Sequence, residues 1–269
     1  MKIVNNRLVP NAMEPRAALG HYDKAEDHYT CWTTSQNPHV ARLVMSAFYN
    51  VAPENKLRVI APDVGGGFGS KIFIYPEEIV CLWASKRTGV PVKWVADRTE
   101  SFMTDAHGRD HVTEVEMAFD KDNRITALKV DTIANFGAYM SLFSSSVPTY
   151  LYATLLSGQY NIPAIHANVR AVYTNTSPVD AYRGAGRPEA TYVLERTMET
   201  AARELGVSPA ELRRKNFVTQ FPHQTPVIMA YDAGDYAASL DAAMKAADYA
   251  GFSERKKAAA KKGKLRGIG

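Results

Sequence analysis

The chain predicts an α+β fold, mixed sheet with packed helices, on three observations. Short apolar strands alternate with helices, one hairpin breaks that alternation, and polar or glycine-rich loops repeatedly join a strand to the next helix. Val4 to Asp23 is rich in Asn and Pro and shows no clear period. Tyr29 to Thr34 reads as a strand. The turn Ser35-Gln36-Asn37-Pro38 follows, with Asn37 at the N-cap and Pro38 at the first helical position. Val40, Leu43, Val44, Ala47 and Phe48 then share one helical face. Leu57 to Ala61 is a short apolar strand. Pro76-Glu77-Glu78 opens a second helix with acids in its first turn, where the helix dipole favours them. It runs to about Thr88 and stops at Gly89, with Pro91 beyond, and Val92 to Ala96 is the next strand. Val112 to Phe119 alternates, turns at Asp120-Lys121-Asp122-Asn123 and returns as Ile125 to Ala134, a hairpin. Phe136 to Pro163 is rich in Gly, Ser and Tyr without a steady period, which suits a cavity-lining segment. Val169 to Tyr173 is a strand and Asn175 to Arg187 a glycine-bearing loop. Pro188 begins a long helix to about Leu205, stopped by Gly206. Ser208-Pro209 opens a short helix, and Asp241 to Ala250 is another.

With 269 residues, 46% hydrophobic and 22% charged, the chain has the composition of a protein with a real core. It can form one large domain or two lobes, about 1–110 and 111–269. No window approaches the ~18 apolar residues of a membrane span. Met1 to Arg7 lacks the pattern of a signal peptide, so the expected compartment is the cytoplasm. Cys31 and Cys81 lie fifty positions apart in apolar surroundings, which predicts buried, reduced thiols. No His, Cys, Asp and Glu show metal-ligand spacing; His107 and His111 lack a helical pattern around them and read as loop or solvent histidines. Seven basic residues against Glu254 give Ser253–Gly269 a local charge of +6, so the rest of the chain carries −2 of the total +4. The segment lacks interleaved aromatics beyond Phe252, which predicts a solvated helix end and linker and no nucleic-acid site.

The most informative stretch is Asp63-Val64-Gly65-Gly66-Gly67-Phe68-Gly69-Ser70-Lys71, between a strand and a helix. Four glycines in five positions bare the backbone, so main-chain N–H groups can approach an anionic or oxo ligand. Standard phosphate loops do not fit. A P-loop needs Gly-Lys-Ser/Thr at its end, but Ser70 separates Gly69 from Lys71. A dinucleotide fingerprint needs glycine or alanine where Ser70 or Ile72 stands. Two further loops, Thr34 to Asn37 and Ala181 to Arg187, occupy equivalent strand-to-helix positions, where ligand sites gather.

Taken with Ala12-Met13-Glu14-Pro15-Arg16 and Trp32 to Pro38, these loops resemble the molybdenum-binding large subunit of the xanthine dehydrogenase/aldehyde oxidase family, nearest its aerobic carbon monoxide dehydrogenase-like branch. The resemblance extends over essentially the whole chain, which would then be the first molybdopterin-binding domain, residues 1–269. It implies that Gln36 lies beside the molybdenum and hydrogen-bonds its oxygen ligands or the pterin. Gly66, Gly67, Phe68 and Gly69 would present N–H groups to an oxo ligand and the pterin phosphate. Arg183 would sit near the metal, so Gln36, Phe68 and Arg183 surround it without a side-chain ligand. The implied cofactor is molybdopterin cytosine dinucleotide, with [2Fe–2S] clusters and FAD carried by small and medium partner subunits in a dimer of heterotrimers.

Departures from the family pattern narrow the substrate. Ile72 stands where purine-oxidising members carry a glutamate, Leu151 falls near their substrate-gripping arginine, and Ala185 replaces a stacking aromatic. Gly184 occupies the place of the cysteine that holds copper in carbon monoxide dehydrogenases, and glycine supplies no thiolate for Cu(I). The implied pocket is small-walled and apolar, suited to an aldehyde or a neutral N-heterocycle. Family large subunits are longer, with a domain before this segment and a second molybdenum domain after it. The general-base glutamate is expected beyond Gly269. Two other readings follow from the same residues: a truncated or split-gene fragment that binds cofactor or a partner without turnover, and a non-enzymatic nucleotide-binding module.

Overall fold

A computed structural model describes all residues from Met1 to Gly269. Strands β1 (Lys2–Asn5), β2 (Ala17–Asp23) and β3 (His28–Thr33) precede helix α1 (Pro38–Ala47). Strand β4 (Leu57–Ile60), helix α2 (Pro76–Thr88), strand β5 (Val92–Val95) and helix α3 (Arg98–Thr104) follow. One sheet has the order β4-β3-β2-β5, with β3 parallel to β4 and antiparallel to β2. Trp32 pairs with Ile60 in that parallel ladder. The turn after β3 and the glycine loop after β4 therefore leave the sheet from the same end, and this register is what brings them together.

Helix α2 packs across β2, and Gly20 is the contact point. A Cβ there would strike the backbone of Cys81 and Leu82, so glycine sets how closely helix and strand approach. Tyr29, Cys31, Met45, Ala52, Leu57 and Leu82 form the core beneath. Both cysteines are buried and free, as expected. Helix α2 has the expected bounds, and Gly89 ends it with φ 76°, the left-handed conformation that closes a helix cheaply only with glycine.

A second sheet is built from β1, β6 (His111–Phe119), β7 (Ile125–Gly137) and β8 (Ile165–Tyr173), in that order. Helices α4 (Arg187–Glu204) and α5 (Pro209–Asn216), the short pair β9 (His223–Gln224) and β10 (Ala230–Tyr231), and helices α6 (Tyr236–Ala246) and α7 (Phe252–Ala260) complete the chain. The chain divides into two compact units. The first comprises Met1–Val115, Val130–Leu156 and Ala167–Val193; the second comprises Glu116–Lys129, Ser157–His166 and Leu194–Gly269. In the second, Asn216 ties the hairpin tip to α5: its side chain accepts from Ile125 N at 2.8 Å and donates to the Asn123 carbonyl at 3.0 Å. Tyr160 stacks on Phe217 and donates to Glu195 at 2.7 Å, and Arg213 binds the same carboxylate at 2.8 Å. No helix is long and apolar enough to cross a membrane.

The architecture is the expected α+β one, but several elements differ. Strands β1 and β2 lie in the segment without a clear period; β2 alternates over only a few residues before it becomes half-exposed. Helix α3 is opened by a reciprocal cap between Asp97 and Glu100, a four-residue signature set in a short polar run. On α1 the buried face is Ala41, Val44 and Met45, so of the expected stripe only Val44 is buried. With apolar residues on neighbouring stripes, periodicity alone leaves the rotation of that helix open. Asn37 sits at its N-cap but makes no capping bond; Ser35 Oγ accepts from Asn37 N instead, at 3.0 Å. Helix α6 begins five residues before Asp241 because Asp235 caps it, accepting from Ala238 N at 2.9 Å.

The two histidines also differ from expectation. Neither His107 nor His111 faces solvent; they are 8% and 1% exposed. His111 takes an inward position on β6 and meets Tyr152 edge-on at 4.8 Å. Burial pushes its imidazole down to about 4, with Arg109 also opposing protonation.

Candidate functional site

Gln36 is placed from both sides. Strand β3 ends at Thr33, whose hydroxyl donates to the buried Glu78 carboxylate at 2.5 Å. Burial raises the Glu78 carboxyl above its ordinary value, against the opposing bonds from Thr33 and Tyr75 N. Three residues on, the Gln36 backbone N–H donates to the Lys71 carbonyl at 2.9 Å. Its side-chain Oε1 accepts from Gly69 N at 2.8 Å. One residue thus bonds the glycine loop through backbone and side chain.

The loop itself needs its glycines. Gly66 and Gly69 have φ 95° and 107°, and at Gly69 a Cβ would run into the Ala181 carbonyl. A Cβ on Gly67 would fall on the Gln36 side chain. Gly65 N donates to Glu14 Oε2 at 2.7 Å, and Lys71 Nζ donates to the same oxygen at 2.9 Å. The N–H groups of Gly67 and Phe68, between the bonded Gly65 and Gly69, donate to no group of the chain. Gly67 is buried, so that unspent donor needs an acceptor. Phe68 holds φ 55°, unusual for a large side chain, with its ring 41% exposed. The loop offers two adjacent donors, a bare backbone and an exposed ring, which fits an anionic or oxo group.

The Ala181–Arg187 loop meets the glycine loop through Arg183 N, which donates to the Phe68 carbonyl at 2.8 Å. The exposed Arg183 guanidinium lies 6.0 Å from the Phe68 ring centroid. Beneath, the buried Arg109 donates to the carbonyls of Tyr182 and Arg183 at 2.9 and 3.0 Å and to Glu189 at 3.2 Å. Asp180, fully buried, accepts from Ser141, Ser144, Phe143 N and Ala181 N. Burial raises its carboxyl despite those donors.

The four residues expected to line a substrate pocket separate into three and one. Ile72, Leu151 and Ala185 pack on one cluster of Phe73, Tyr75, Ala106, Val147 and Ala181. Leu151 is brought there by a wide helical turn over Ser146–Leu151, a form common near functional sites. Gly184 is exposed and outside that cluster. It holds φ 107°, and a Cβ there would come within 2.6 Å of Pro188, so a cysteine could enter only with rebuilding of the loop.

Sequence reasoning assigned no task to Glu14, Lys71, Arg109, Asp180 or Glu189. Glu14 stood inside a quoted motif, but pairing across fifty or more residues leaves no mark in a single sequence. Gln36, Gly66–Gly69 and Arg183 are brought together, and Ile72, Leu151 and Ala185 with one another.

The chain as a whole has relatives among known proteins. The family model described as molybdopterin cofactor-binding domain matches residues 1–217. The chain belongs to this family. It is 39% identical over 248 residues to the carbon monoxide dehydrogenase large chain of Hydrogenophaga pseudoflava, covering 90% of this chain and 31% of that protein. It is 35% identical over 265 residues to the nicotine 6-hydroxylase large subunit of Paenarthrobacter nicotinovorans, covering 98% and 32%. The solved structure of quinoline 2-oxidoreductase from Pseudomonas putida 86 superposes with a TM-score of 0.92 at 32% identity, over 98% of this chain and 34% of that one. The chain spans about a third of the length of these relatives. Membership accounts for the α+β architecture and for molybdopterin as the ligand class.

Proposed function

We propose that residues 1–269 form the first molybdopterin-binding domain in the catalytic subunit of a molybdenum hydroxylase that oxidises an aldehyde or an N-heterocycle. The observation that carries this reading is the closure of three loops on one another, Gln36 to Gly69 and Arg183 to Phe68, with the N–H groups of Gly67 and Phe68 left unspent. A molybdopterin, when bound, supplies the redox centre for hydroxylation with oxygen drawn from water. The chain's own residues bind and orient. Gly67 and Phe68 N–H would donate to an oxo or phosphate oxygen of the group, and the Gln36 amide nitrogen is free to donate while its oxygen stays on Gly69. Arg183 adds positive charge at the mouth, and the Phe68 ring shields that side from water. Ile72, Leu151 and Ala185 form an apolar wall without a charged handle or a stacking ring, which favours an apolar aldehyde or N-heterocycle over a polar purine.

Within this reading the cofactor is the cytosine dinucleotide form. Electrons leave through a small subunit with [2Fe–2S] clusters and a medium subunit with FAD, in a cytoplasmic dimer of heterotrimers. The relatives' names, carbon monoxide dehydrogenase, nicotine 6-hydroxylase and quinoline 2-oxidoreductase, support an oxidoreductase acting on small molecules. Gly184 speaks against the copper-dependent member of that set. The test is metal, pterin and nucleotide analysis of the native complex, followed by turnover assays with aldehydes, N-heterocycles, xanthine and carbon monoxide. The expected result is molybdenum and pterin in equal amounts, with turnover of an aldehyde or N-heterocycle. Absence of both metal and pterin, with binding of a plain nucleotide, would sink the assignment.

A further inference from the structure

We propose that Glu14 and Lys71 act as a positioning pair that sets the glycine loop for its ligand, an inference that rests on the molybdopterin reading above. The Lys71 side chain is only 2% exposed, and its ammonium donates to Glu14 Oε2 at 2.9 Å. A buried ammonium without a carboxylate is strongly disfavoured, so Lys71 requires Glu14. The same oxygen accepts from Gly65 N at 2.7 Å, and Glu14 N in turn donates to the Gly65 carbonyl at 3.2 Å. A Cβ on Gly65 would come within 2.6 Å of Glu14 Cβ, so glycine at this position is what lets the carboxylate approach. Glu14 thus grips the loop at its entry by both backbone groups of Gly65 and at its exit by Lys71. Between those grips lie Gly67 and Phe68, whose N–H groups are unspent. Burial alone would raise the Glu14 carboxyl, but the bonds from Lys71 and Gly65 outweigh it and hold it ionised.

The pair separates positioning from mere stability, because the charge and the acceptor can be removed independently. Four variants of the full-length protein in its native complex make the test: Glu14→Ala, Lys71→Met, Glu14→Ala with Lys71→Met, and Glu14→Gln with Lys71→Met. Molybdenum and pterin retained after exhaustive buffer exchange are measured beside the thermal midpoint and the exchange rates of the Gly65–Phe68 amides. Glu14→Ala alone is expected to lower both midpoint and retention. Adding Lys71→Met removes the stranded charge and restores the midpoint. Retention is expected to stay about 10–100-fold low, the usual cost of losing an outer partner of a metal site, and the Gly65 amide to exchange faster. Glu14→Gln with Lys71→Met keeps an acceptor for Gly65 and is expected to restore retention. A Glu14→Ala/Lys71→Met protein that holds wild-type molybdenum, or a folded Glu14→Gln/Lys71→Met protein that fails to regain it, would overturn the proposal. Wild-type complex without molybdenum or pterin would overturn the cofactor reading itself; unchanged amide exchange would overturn the clamp alone.

Discussion

The glycine loop and the Ala181–Arg187 loop touch through one hydrogen bond, yet they are held by opposite means. Side-chain oxygens of Glu14 and Gln36 take N–H groups at the two ends of the glycine loop. The other loop is held by its carbonyls, through the guanidinium of Arg109. A loop gripped at its ends by acceptors keeps its central donors for a ligand. A loop gripped by a cation has its carbonyls satisfied, and here it leaves the Arg183 side chain exposed. In the proposed reading the first loop would receive negative charge, and the second would carry a positive side chain beside it.

The comparison breaks most completely at Gly69, where both loops meet. Gly69→Val places a branched side chain against the Ala181 carbonyl at φ 107°. Backbone strain costs about 1–3 kcal/mol and overpacking about 1–3 kcal/mol more. The expected outcome is a complex with molybdenum at background by elemental analysis; wild-type metal content would show that the two loops do not share a ligand. Arg109→Met comes next. It leaves the Glu189 carboxylate buried at 2% exposure without its cation and frees the carbonyls of Tyr182 and Arg183. Breaking a buried pair from one side costs about 3–5 kcal/mol, read as a lowered urea midpoint. Adding Glu189→Gln should recover part of that loss, because the stranded charge is gone.

Most of the α+β order was legible in the sequence, because periodic apolar positions, Asn37-Pro38, Pro76 and the stops at Gly89 and Gly206 act locally. Strand β2 was not legible, because its alternation covers too few residues, and α3 was not, because its evidence is one cap. At the candidate site, the loops that bring the glycines, Gln36 and Arg183 together were legible, while their task rests on the resemblance those loops carry. The supports were hidden. Glu14 with Lys71, and Arg109 with Glu189, are ordinary charged residues until folding sets them 2.9 and 3.2 Å apart. His111 was misplaced for a related reason: a histidine at the start of an alternating strand gives no sign of which face it takes.

That histidine sharpens the comparison on the arginine-held side, two residues from Arg109. The folded chain protonates His111 only near pH 4, whereas the unfolded chain does so near the ordinary value of about 6.5. Its contribution to stability is therefore complete above about pH 6.5 and is lost as pH falls from there through 4. The loss approaches roughly 3 kcal/mol at the acid end, measurable as a fall in urea midpoint between pH 7 and 4.5. His111→Phe, which keeps a ring against Tyr152, should flatten that part of the profile. An unchanged slope would assign the acid sensitivity elsewhere.

The smallest expected effect on stability falls on the glycine side, and it discriminates most finely between holding a loop and presenting one. Gln36→Leu removes the acceptor for Gly69 N while roughly keeping side-chain size. Gly69 is buried, but the bond itself is only part-buried and Gln36 is exposed, so water can enter where the side chain is removed and the stability cost is about 1 kcal/mol. Cofactor retention should fall much further, about 10–100-fold, because the loop's free donors lose the fixed end that aims them and the ligand loses the Gln36 amide. Thermal melting and molybdenum content measured on the same sample decide the matter. A large drop in metal with a nearly unchanged midpoint places Gln36 at the ligand. Parallel losses in both would reduce it to a brace, leaving Gly67 and Phe68 as the receptor.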